Sequence, residues 1–158
     1  MLPLTPQQLH WATVIVHTCR HTAGIGDPDH HARAADIALQ VALAESGLRM
    51  TANGNNPRSL TLPHDAVGWD HGSVGLFQQQ VTGALHSTAS WGTTEQCMDA
   101  VWSTRRFLSE LVSFRWTELP NWLAAQRVQN SFDPLGENYR RWDATAIATR
   151  KHLWDAAK

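Results

Sequence analysis

The chain is short of several things, and each shortage removes a class of protein. It has no excess of one charge: 13 Lys plus Arg stand against 14 Asp plus Glu, a formal net charge of −1. No basic block breaks that balance, so nucleic acid and anionic membrane are not its expected partners. No apolar run approaches the roughly 20 residues of a membrane-spanning helix, which argues against membrane insertion. The two cysteines, Cys19 and Cys97, are too few and too far apart for a disulfide framework; free buried thiols and a single bridge both fit. Met1-Leu2-Pro3-Leu4-Thr5-Pro6 has neither a basic n-region nor an apolar h-region, so no secretion signal is expected. Tyrosine occurs once, as Tyr139, and phenylalanine four times, whereas tryptophan occurs eight times. Tryptophan is a large core residue whose flat face also stacks on sugar rings, and most of the eight are expected in the core.

What is present reads as one domain over residues 1–158, long enough to bury a core unaided. Thr5-Pro6 opens a helix with Leu9, Ala12, Val16 and Cys19 near one face, closed by Gly24 and Gly26. Asp27-Pro28 caps a second helix that ends at Glu45-Ser46-Gly47. Residues 48–73 change character. Asn53-Gly54-Asn55-Asn56-Pro57 is turn chemistry, Pro63, Gly68 and Gly72 punctuate the rest, and strand pairing is expected around 59–62 and 67–69. Residues 75–80 suggest a short helix or turn, and 81–91 an irregular connection. Thr93 or Thr94 with Glu95-Gln96 resembles a capping box before a helix striped by Met98, Val101, Trp102, Arg105, Leu108 and Leu111. Pro120 opens a helix over 121–132 with Leu123, Val128 and Phe132 on its buried side, and a last helix runs from 136 to 156. The sum is a mainly α chain of about five helices around one irregular, β-containing insertion.

The most informative stretch is 37–80. From Ala34 to Ala44 only Asp36 and Gln40 are polar, and, four apart, they share a face. At about 100° per residue, Glu45 lies about 180° round from Asp36, in line with Ala34, Ala38 and Val41 on the face to be buried. Burial raises a carboxyl pKa, and a carboxyl still protonated near neutral pH suits general-acid catalysis. Cleaving a glycosidic bond requires such an acid, because the leaving sugar oxygen must be protonated. The bland alternative is that Glu45 only bonds a backbone amide or pairs with an arginine.

Glu45-Ser46 at a helix end, followed after a polar loop by Ser73-Val74-Gly75-Leu76-Phe77-Gln78-Gln79, resembles the lysozyme-like superfamily. Soluble lytic transglycosylases and goose-type lysozymes carry Glu-Ser and then Gly-Leu-Met-Gln or a close variant. Leu43–Leu48, Ser73–Gln79 and Trp91-Gly92-Thr93 are similar to the form found in actinobacteria and their phages. The resemblance covers roughly residues 37–139. It implies a mainly α lysozyme-like fold and a peptidoglycan-cleaving glycosidase acting between N-acetylmuramic acid and N-acetylglucosamine, with Glu45 as the acid. It implies substrate-side roles for Ser46, Ser73, Gly75, Gln78 and Gln79, with Ser46 also supporting the helix end and Gly75 admitting close backbone approach. Trp69 and Trp91, in irregular segments beside the motifs, are the tryptophans assigned to the cleft; Trp102 and Trp142 are assigned to the core. The transglycosylases also carry Ala-Tyr-Asn on a later helix. Residues 124–131 hold no tyrosine, so Gln129 is the first choice for that cleft position and Tyr139 the second.

A hydrolase needs a second carboxylate to activate water, whereas in a transglycosylase the muramic acid 6-hydroxyl attacks internally. Asp70 is the candidate base and Asp65 the reserve, although either also suits a turn; hydrolysis is favoured. His17 with His21, and His64 and His71 with the neighbouring aspartates, raise the idea of a metal-dependent wall peptidase. No His-Glu-x-x-His is present, and neither metal nor another cofactor is expected. The further alternative is a glycan-binding domain without turnover. The expected partner is the glycan strand, met by a monomer. The expected setting is a phage endolysin released from the host cytoplasm through a holin-type pore, or part of a larger exported protein.

Overall fold

The computed structural model describes residues 3–81 and 90–156. Among them are seven helices, α1 (Pro6–His21), α2 (Pro28–Ser46), α3 (Thr94–Cys97), α4 (Ala100–Leu111), α5 (Asn121–Gln129), α6 (Glu137–Arg140) and α7 (Asp143–Leu153). Two three-residue strands, β1 (Thr51–Asn53) and β2 (Ala66–Gly68), complete a mainly α fold. Most of the expected 81–91 connection lies outside the described residues.

The helix starts follow local chemistry. Thr5 caps α1 and Thr93 caps α3, each in a capping box with a glutamine three residues on, and Asp27 caps α2 ahead of Pro28. Gly47 closes α2 in the left-handed conformation, and the Leu48 amide reaches back to Ala42 O at 3.1 Å, as in a Schellman ending.

The 19-residue α2 is the hub of the fold and packs against α1, α4, α5, α6 and α7. Residues 34–43 are buried on every side, and their alanines let the neighbouring helices close in. The face shared by Asp36 and Gln40 is buried too. They point at α7, where Arg150 grips both Asp36 oxygens at 2.8 and 3.0 Å and Asp143 accepts from Gln40 at 3.2 Å. One turn earlier, Arg33 donates to Asn121 Oδ1 at 2.9 Å, and Asn121 donates to the same Asp143 oxygen at 3.0 Å. A polar seam thus ties α2 to α5 and α7.

Several expectations give way to tertiary context. β1 pairs with β2 in parallel, Thr51 against Ala66 and Asn53 against Gly68, while residues 59–61 form a 3-10 turn instead of a strand. The helix expected after Thr93 is interrupted at Met98, where Asp99 starts α4 with its own cap. The buried side of α4 then carries Ser103, Thr104, Phe107, Leu108 and Leu111, leaving Val101 exposed and Trp102 half-buried. Helix α5 stops at Asn130, and Phe132 stands 92% exposed. The last helix is two, α6 and α7. Of the eight tryptophans only Trp116 is buried. The others sit at the rim, and guanidinium groups lie over several: Arg106 on Trp91 at 4.6 Å, Arg140 on Trp122 at 4.7 Å and Arg20 on Trp154 at 4.8 Å. Trp142, expected in the core, is half-buried against it beside Arg141. Cys19 and Cys97 are free and buried, and burial pushes the Cys97 thiol up to about 12.

Candidate active site

Glu45 occupies the last turn of α2, whose backbone carbonyls present the negative end of the helix dipole; no basic residue sits in that turn to offset it. The carboxyl group is half-buried, and desolvation raises its pKa above the ordinary glutamate value. Two further groups act on it. The Tyr139 hydroxyl donates to Glu45 Oε1 at 2.5 Å and pulls the pKa back down, while the charge of Asp70 pushes it up. Tyr139 is fully buried, and desolvation, followed by the neighbouring Glu45 charge, raises its own pKa, so it remains a hydrogen-bond donor. Of the two residues proposed for this position, Tyr139 is the one on the carboxylate. It arrives from α6, not from the 124–131 segment.

The wall facing Glu45 is built on β1 and the 69–79 segment. Asp70, exposed, accepts from the Asn53 amide at Oδ1 (2.8 Å) and at its backbone carbonyl (3.0 Å). The same Asn53 nitrogen lies 3.1 Å from Ser73 O, and Asn55 donates to Trp69 O and Asp70 O at 2.9 and 3.0 Å. Asn53 is wholly buried and anchored through its own backbone amide to Ser59 Oγ at 2.9 Å. It organises this wall, although in the sequence it is one more turn asparagine. Asp65 is not a free base: its Oδ2 accepts from Trp11 Nε1 at 2.6 Å and from the Met50 amide at 2.9 Å, tying the loop to α1.

The Ser73–Gln79 motif is a tight turn closed by Val74 and Gln79 exchanging backbone hydrogen bonds at 3.0 and 3.1 Å. Ser46 is buried and donates to Leu76 O at 2.7 Å, so it joins α2 to this turn. Gly75, assigned to substrate approach, has another constraint. At φ +82° a Cβ here would lie 2.1 Å from Cys97 O, so the missing side chain makes room for the end of α3. Ser73 and Gln79 are buried as well. Gln78 is half-buried at φ +50° and donates to Gly75 O at 2.9 Å. Gln129 donates to Phe77 O at 2.9 Å, holding the turn from the α5 side.

Beside the turn is a cavity of about 510 Å³, lined by Gln78, Trp91, Arg106, Glu110 and Gln129 among others. Its carboxamides, its indole and its Arg106–Glu110 pair at 2.7 Å offer both donors and acceptors to a polyhydroxylated ligand. Trp69 is 73% exposed and lies across Gly54, where a Cβ would meet its ring at 2.2 Å; one indole face is therefore presented outward next to Asp70. Tyr139 is bonded directly to Glu45, and Asp70 acts on that carboxyl group through its charge. Gln78, Trp91 and Gln129 line the cavity beside the motif turn, and Trp69 lies next to Asp70 on the segment braced by Asn53 and Asn55.

Among the described residues no three His, Cys, Asp or Glu side chains converge on a metal position. His21 Nδ1 lies 2.9 Å from His17 O, and His64 Nδ1 lies 2.7 Å from Leu62 O. Among the described residues no helix is long and apolar enough to cross a membrane. No protein-family model matches the chain, and no curated protein matches it.

Proposed function

We propose that this protein is a lysozyme-like glycosidase that hydrolyses the β-1,4 bond between N-acetylmuramic acid and N-acetylglucosamine in peptidoglycan. The observation that carries the reading is the Glu45 site: a half-buried carboxyl group at a helix end, held by Tyr139 and within electrostatic reach of Asp70. The ordered Glu-Ser and Gly-Leu-Phe-Gln resemblance supplies the substrate class.

With Tyr139 on Oε1, the proton of Glu45 is carried by Oε2 and passes to the leaving glycosidic oxygen as the bond breaks. The carboxylate that results keeps the Tyr139 hydrogen bond. Asp70 takes a proton from the water that attacks the anomeric carbon, the role of the base in an inverting hydrolase, where the two carboxyl groups stand about 6.5–9.5 Å apart. Trp69 offers the glycan strand an aromatic face, and the cavity of Gln78, Trp91 and Gln129 offers an indole and amide partners.

Glu45→Gln keeps the size and a hydrogen-bond acceptor but removes the acid. Its expected result is a loss of wall lysis by several orders of magnitude with sedimentation onto purified walls retained. Undiminished lysis by that variant would end the glycosidase reading. Mass spectrometry of released muropeptides separates hydrolysis, which leaves reducing ends, from transglycosylation, which leaves 1,6-anhydro ends.

A further inference from the structure

Asn53 lies eight residues beyond Glu45, outside both sequence motifs, yet its side chain is the main support beneath Asp70. Its amide nitrogen meets Asp70 at the carboxylate and at the backbone and also reaches Ser73 O. The residue is wholly buried, and its own Oδ1 is occupied by the Asn55 amide at 2.8 Å. That contact fixes which way the carboxamide faces, so the NH2 group is the end turned to Asp70. β1 is in turn held in register by β2, and the Gly75 amide donates to Thr51 O at 2.8 Å, linking the strand to the motif turn. Asp70 itself is exposed and sits in a segment of irregular backbone, so without Asn53 its carboxylate would sample many rotamers.

We propose that Asn53 is the positioning residue that decides which nucleophile reaches the anomeric carbon. This rests on the hydrolase reading. In hydrolysis Glu45 gives its proton to the leaving oxygen, a water oxygen bonds to C1, and the water's proton goes to Asp70. In the competing course the 6-hydroxyl of the same muramic acid bonds to C1, and its proton returns to the Glu45 carboxylate, so no second carboxylate is needed. Glu45 serves both courses, but only the first depends on Asp70 standing where water can meet it. Asn53 therefore controls the partition between them without touching substrate.

The test uses the full chain and peptidoglycan walls, with reducing and 1,6-anhydro ends counted by mass spectrometry. Asn53→Asp is isosteric but has no N–H to donate. Reducing-end release is expected to fall on the order of a hundredfold, the scale of losing the alignment of a catalytic group, while anhydro ends rise as a share of product. In a double-mutant cycle, adding Asn53→Asp to Asp70→Asn should change reducing-end release less than about twofold, because Asn53 acts through Asp70. The double variant also exchanges donor and acceptor across the side-chain bond, though not toward the Asp70 and Ser73 carbonyls, so its melting temperature should recover in part relative to Asn53→Asp alone. This keeps the test valid if the single variant folds poorly. A folded Asn53→Asp protein with wild-type product ratio and rate would overturn the inference alone, as would full additivity in the cycle. Wild-type protein yielding only anhydro ends would instead remove the hydrolase reading, and this inference with it.

Discussion

Tyr139→Phe isolates the hydroxyl on Glu45. Phenylalanine fills nearly the same volume in a fully buried site, so packing is retained while the bond to Glu45 is lost together with the hydroxyl's interactions with Ser131 and Asn138. A hydrogen bond to a charged acceptor contributes about 1.5–3 kcal/mol, whereas one to a neutral acceptor contributes about 0.5–1.5 kcal/mol. In the proposed mechanism Glu45 is protonated before it acts and ionised after, so the hydroxyl favours the later state by roughly 1–1.5 kcal/mol. Only that difference accelerates the step. At about 1.4 kcal/mol per tenfold, kcat should fall roughly five- to tenfold with little change in KM. A second effect runs along the pH axis. Tyr139 opposes the upward push of burial and of Asp70 on Glu45, so its loss raises the Glu45 pKa further. The acid then stays protonated to higher pH, and the alkaline limb of the rate profile moves upward. Clearance of wall suspensions across pH, with muropeptides counted at each point, reads both effects. An unchanged rate with an unmoved alkaline limb, or a limb displaced to lower pH, would refute the reasoning.

Two stability predictions concern the scaffold under this site. Burial outweighs Arg150 in setting the Asp36 pKa, which lies above the ordinary aspartate value. Hence Asp36→Leu alone should cost about 3–5 kcal/mol in urea unfolding by stranding the largely buried Arg150, while Asp36→Leu with Arg150→Met should unfold no more easily than wild type. Gly75→Ala at φ +82° against Cys97 O should cost at least about 2 kcal/mol, and a melting temperature equal to wild type would contradict that packing.

The features legible in the sequence are those whose causes lie within a few residues. The Thr5, Asp27 and Thr93 caps, the Gly47 ending and the burial of Glu45 follow from spacing and side-chain chemistry alone. The features that escaped depend on partners far along the chain. Asp36 and Gln40 read only as a shared polar face until α7, more than a hundred residues later, supplies Arg150 and Asp143. The Tyr139–Glu45 contact spans 94 residues, and no local pattern encodes it. The parallel pairing of two three-residue strands is likewise invisible to periodicity. Asn53 was hidden for a different reason, since an asparagine before Gly-Asn-Asn-Pro looks like turn chemistry whether or not its side chain braces a carboxylate.

The hub position of α2 also divides the labour of motion. A helix clasped by five others cannot shift its last turn without disturbing the whole core, so Glu45 belongs to the stationary jaw. The opposing jaw, from β1 through Trp69 and Asp70, is held by a two-stranded ribbon, by amide hydrogen bonds and by side-chain ties to α1 and α3 through Asp65, Asn56 and Arg58. On the proposed function, a change in cleft width as a glycan strand enters or leaves falls to that jaw. The same asymmetry governs what mutation can do: the exposed loop jaw tolerates substitution more readily than the last turn of α2, where the core fixes the proposed proton donor.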